Sequence, residues 1–111
     1  MLSEQLEKLW EMASDAHAAI QRDFEEIDPI IGVSQNMRKQ GIPADAMTVD
    51  CLRSRKRIII ILHDQQPDLV NYQFSFMDKD PEGAFQTIAF SEINTQLLYD
   101  WIAGYFSKNS S

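Results

Sequence analysis

The sequence predicts an α+β domain, a four-stranded antiparallel meander with two helices before it and one after, in the order ααββββα. Three observations predict it. Leu2, Leu6, Leu9, Ala13, Ala16, Ile20, Phe24 and Ile27 recur at steps of three and four, which draws one apolar stripe along a helix. Val70-Asn71-Tyr72-Gln73-Phe74-Ser75-Phe76 alternates apolar and polar residues, the period of a strand with one wet and one dry face. The links between the apolar segments after residue 46 are too short for a parallel crossover, so neighbouring strands run antiparallel.

Residues 3–26 read as the first helix, with Ser3 as N-cap and Glu4 and Glu7 at the end where the helix dipole favours negative charge. Its alanines keep the middle thin, and Trp10 lies beside the stripe as a core-flanking residue. Asp28-Pro29 reads as the start of a second helix, 29–40, because proline is tolerated at the first helical position. Arg38 and Lys39 suit its end and Gly41 stops it. Four strands follow: Met47–Cys51, Arg57–His63, Leu69–Met77 and Ala84–Phe90. Ser91 is expected to cap a last helix, 92–106, with Ile93, Leu97, Trp101 and Tyr105 four apart. Residues 1–111 form a single domain, with a polar tail at 107–111.

The segment Ile58-Ile59-Ile60-Ile61-Leu62 is apolar throughout. A strand of that kind needs cover on both faces. Val70, Tyr72, Phe74 and Phe76 should meet the first and last helices. Ile59 and Ile61 then fall on the face opposite Ile58, Ile60 and Leu62, where Met77 or Phe85 can join them. Leaving two isoleucines wet forgoes about 3–6 kcal/mol of transfer free energy. That patch is either covered by the second helix or kept as an interface.

Composition narrows the function. An apolar fraction of 44% and a charged fraction of 24% are those of an ordinary globule, and ~65% of the unfolded surface can be buried at this length. The single cysteine, Cys51, permits no intrachain disulfide and fits a reducing compartment. The N-terminus shows no signal-peptide pattern and no apolar stretch approaches a membrane span, so the expected location is the cytoplasm. The net charge of −7 is uneven: −6 over residues 1–28, +3 over 29–66 and −4 over 67–111. That total argues against a nucleic-acid binder that tracks the phosphate backbone.

No motif announces a reaction. Cys51 and His63 would have to approach to about 3 Å to form a nucleophile and base. A hairpin turning at Ser54-Arg55 sets Cys51 opposite Ile58 and His63 opposite Ala46, about 17 Å apart along the strands. His17 and His63 lack metal-ligand spacing, and neither a metal nor a cofactor is expected. Asp78-Lys79-Asp80-Pro81-Glu82-Gly83 imitates the opening of a calcium loop but has Ala89 where the closing carboxylate belongs. Arg53, Arg55, Lys56 and Arg57, with His63 beyond them, form the one basic stretch able to grip an anion.

In size and acidity, though without a shared motif, the chain is similar to secretion chaperones and immunity-type inhibitors. That likeness carries nothing further; the two-sided apolar strand gives the expectation of a non-catalytic protein-interaction module of adaptor, chaperone or inhibitor type. It has a protein partner, no membrane and no nucleic acid, and self-associates through Ile59, Ile61, Phe85 and Met77. A second reading is a binder of, or enzyme on, a small anionic ligand, using the Arg53–Arg57 hairpin.

Overall fold

Helix α1 (Glu4–Asp23) carries Glu4 and Glu7 in its first turn and Arg22 in its last. Leu6, Leu9, Ala13, Ala16 and Ile20 along its stripe are fully buried. The computed structural model describes residues 4–25, 27–78 and 83–107. The expected Ser3 cap, most of the tail and Lys79 to Glu82 of the calcium-like stretch lie outside the described residues.

The second predicted helix is a correction. Residues 29–34 form strand β1 (Pro29–Ser34), and only Asn36–Lys39 are helical, as the single turn α2. Ile30, Ile31 and Val33 are β-branched, and Gly32 weakens a helix interior. Pairing the whole segment with the next strand offers more than a short helix can. Pro29 suits the first position of an edge strand as well as it suits a helix. Gly41 does end α2, at φ 90°, where glycine pays no steric penalty.

Strands β2 (Ala44–Cys51), β3 (Lys56–His63), β4 (Leu69–Phe76) and β5 (Gln86–Ala89) complete the sheet. The meander thus has five strands rather than four, all antiparallel, in the order β1-β2-β3-β4-β5. The β2–β3 register differs by two residues from the expected one: Cys51 faces Lys56 and His63 faces Ala44. The even shift leaves every side chain on its expected face. It lengthens the loop, where Arg55 adopts a left-handed φ of 61°.

Helix α3 (Thr95–Phe106) follows a 3-10 turn at Phe90–Glu92. The cap is Asn94, not Ser91: its Oδ1 accepts from the Leu97 N–H at 2.8 Å. Ser91 is taken up by the 3-10 turn, so α3 starts later than its apolar periodicity suggests. Helices α1 and α3 lie side by side on one face of the sheet. Leu98, Ile102 and Phe106 join the α1 stripe over Met47, Val49, Ile58, Ile60, Leu62 and Val70. Each large aliphatic group buried there contributes about 1.5–3 kcal/mol.

Candidate functional site

The second face of the sheet follows from register. Alternation places Ile30, Gly32 and Ser34 of β1 on it, with Ala46, Thr48 and Asp50 of β2. It adds Arg57, Ile59 and Ile61 of β3, and Asn71, Gln73 and Ser75 of β4. Two cross-strand rows run over its centre. One is Gly32–Thr48–Ile59–Gln73 and the other is Ser34–Ala46–Ile61–Asn71–Thr87. Neither row contains a charge, in a chain that is 24% charged.

Helix α2 is not the cover considered for this face: it buries no residue. Its Arg38 instead ties the strand ends together, with Nε and Nη2 each 3.0 Å from the Asp45 carboxylate and Nη1 2.8 Å from Asp64. Asp45 is only 2% exposed, so the bidentate guanidinium supplies the countercharge that a buried carboxylate requires. The same guanidinium holds the Asp64 carboxyl below its ordinary pKa.

Ile59 and Ile61 are half-buried among their sheet neighbours rather than fully exposed. The larger exposed apolar groups on this face are Ile30, at 48%, and Leu69, at 39%. Neither was singled out from sequence. Reading 29–34 as a strand would have exposed Ile30 through the alternation of Ile31 and Val33 against Ile30, Gly32 and Ser34. Met77 and Phe85 are half-buried and lie just beyond the end of β4 and before the start of β5.

The basic stretch does not form one patch. Register puts Lys56 on the helix side, where its Nζ donates to the Tyr105 carbonyl at 3.0 Å and sits 4.9 Å from that ring's centroid. Arg57 lies on the other face, where its Nε donates to Asp50 at 2.7 Å and its Nη2 at 3.0 Å. Arg55 pairs with Asp78, and Arg53 is exposed. Asp50 and Asp78 thus neutralise two of the charges, and the third cation is turned towards α3.

No protein-family model, curated protein or solved structure matches the chain. The side chains alone therefore bear on function. Cys51 is buried on the helix side of β2, and seven residues of strand separate its register position from that of His63, about 23 Å. That distance forbids a thiol–imidazole dyad. His63 and Asp64 line a small cavity with Gln5 and Pro67, but Asp64 is committed to Arg38. Among the described residues no group of three His, Cys, Asp or Glu side chains could hold a metal ion, and no helix is long and apolar enough to cross a membrane.

Proposed function

We propose that the chain is a non-catalytic protein-interaction module, an adaptor, chaperone or inhibitor. On this reading it works in the cytoplasm and self-associates through the sheet face opposite α1 and α3. The observation that carries this reading is the pair of uncharged rows through Ile59 and Ile61, with no helix among the described residues laid over them. An antiparallel sheet tolerates one solvated, polar face, and this one sets Ile59 and Ile61 among the neutral polar residues Thr48, Gln73, Asn71 and Thr87. Here the charges stand at one end, as the Asp50–Arg57 pair, and leave a neutral strip. The strip can meet its own copy about a two-fold axis, as an isologous contact requires.

Sedimentation of wild type and of Ile59→Glu plus Ile61→Glu over a concentration series tests the reading. The expected result is an associating wild type and a folded, monomeric double variant. A wild type that stays monomeric at high concentration, or a double variant that associates equally well, contradicts it.

A further inference from the structure

The geometry points to a second docking surface, the free edge of β1 and the groove beside it, built to take an extended, basic peptide segment of another protein as a sixth strand. This surface adjoins the face through Ile59 and Ile61 at Ile30, but its hydrogen-bonding groups lie along the sheet edge.

Hydrogen-bond direction along the sheet can be followed from the far side. The Met77 N–H donates to the Arg55 carbonyl at 2.8 Å, while Lys56 stands opposite Phe76. A bond between the residues flanking that pair means Lys56 does not exchange bonds with Phe76, so its own N–H and C=O face β2. Cys51, opposite Lys56, therefore turns its groups towards β3 and away from Pro29. The Pro29 carbonyl accordingly points off the sheet, and His17 Nε2 lies 2.6 Å from it. The pattern alternates, so the N–H and C=O groups of Ile31 and Val33 also point outward. Among the described residues, no hydrogen bond outside the sheet ladder reaches either of them.

Native edges are usually blunted by charge, brevity or proline. The opposite edge, β5, is four residues long. Strand β1 has six residues, no charge, and its one proline at the first position.

Beside this edge lies a groove of about 450 Å³ whose helical wall is Trp10, Ser14, His17 and Gln21. Trp10 is 39% exposed there, and its ring offers a face for a cation. Glu7 and Glu11 are exposed and precede Trp10 and Ser14 by three residues, so they border the wall on its solvent side. Asp28 adds a carboxylate at the far end.

These acids decide the occupant. Pairing β1 with β1 of a second copy would bring two α1 helices together on the same side of the sheet, acidic borders facing. A strand with lysine or arginine at alternate positions meets opposite charge instead, while its intervening apolar residues lie along Ile30 on the other face.

The probe is a fluorescein-labelled octapeptide alternating lysine and valine, followed by anisotropy with the full chain. Binding is expected for this peptide and not for its glutamate–valine counterpart. Ile31→Pro, which removes an outward N–H and leaves the net charge unchanged, should weaken binding about tenfold or more. Amide exchange of Ile31 and Val33 in the wild type should slow on saturation, a readout that needs no variant to fold. Equal binding by Ile31→Pro, equal binding of the acidic peptide, or unchanged exchange at Ile31 and Val33 would overturn the assignment. So would a wild-type dimer that Ile31→Pro converts to monomer, since a second copy would then hold the edge.

Discussion

Tyr72 on β4 and Trp101 on α3 stack with ring centroids 4.5 Å apart and planes 27° from parallel. Phe74 meets the same indole edge-on at 5.7 Å, and Tyr105 donates its hydroxyl to the Ser75 carbonyl at 2.7 Å. Aromatic contacts therefore fix α3 over β4, while α1 covers the sheet nearer β1. Together they place both long helices on one face of the sheet.

Trp101→Ala removes the anchor of that arrangement. The expected loss is about 3 kcal/mol, the low end for a large aromatic because Trp101 is only half-buried. Denaturant unfolding followed by far-UV circular dichroism measures it. A loss under about 1 kcal/mol would mean that α3 is held by its aliphatic stripe alone.

Asn94→Ala removes the side chain that satisfies the Leu97 N–H. It should cost about 1 kcal/mol, and Ser91→Ala should cost much less, because Ser91 does not cap α3. Comparing the two midpoints separates the observed helix start from the one the sequence suggests.

Acid should weaken the fold through exposed pairs. Arg38 holds Asp64 below its ordinary pKa, Arg55 does the same for Asp78, and Arg22, with Tyr99, does so for Asp23. A depressed folded-state pKa means that the unfolded chain binds more protons. The stabilisation is therefore complete above about pH 3.9 and disappears as pH falls through the lower folded values. Midpoints measured from pH 6 down to about pH 2 should fall, less steeply in Arg38→Ala, and salt should flatten the difference. A parallel acid limb in Arg38→Ala would remove that pair from the account.

The alkaline side has the opposite sign. The hydrogen bond from Tyr99 to Asp23 (2.6 Å) is the main cause of a raised Tyr99 pKa. Its contribution is present below about pH 10 and is lost as pH rises through the higher folded value. Tyr99→Phe should lower the midpoint at pH 8 and show a shallower alkaline decline. An unchanged midpoint at pH 8 would show that this link between α1 and α3 contributes nothing.

Periodicity disclosed the helices and central strands because their burial is one-sided. α1 and β4 each put apolar residues on one face, at 3.6 and 2 residues respectively. The faces of Ile58–Leu62 were legible for the same reason, and a two-residue error in register did not disturb them. The segment 29–34 was not legible: Asp28-Pro29 followed by apolar residues fits a capped helix and an edge strand alike. Only pairing with β2 decides between them. Ile30, and with it the breadth of the open face, was hidden by that ambiguity. The Arg38–Asp45–Asp64 cluster joins residues 26 apart in sequence, a proximity that no local pattern encodes. The basic stretch looked like one patch because adjacent residues in a strand are neighbours in sequence but face opposite ways.

We propose that copies of the chain meet on the uncharged strip through Ile59 and Ile61. The most direct measurement is the relaxation of the Ile59 and Ile61 methyl groups by a soluble paramagnetic agent, recorded as protein concentration rises. Both methyls should become shielded as association proceeds, while surface methyls elsewhere, such as those of Leu52, stay accessible. Association that leaves Ile59 and Ile61 as accessible as in the dilute protein would contradict it.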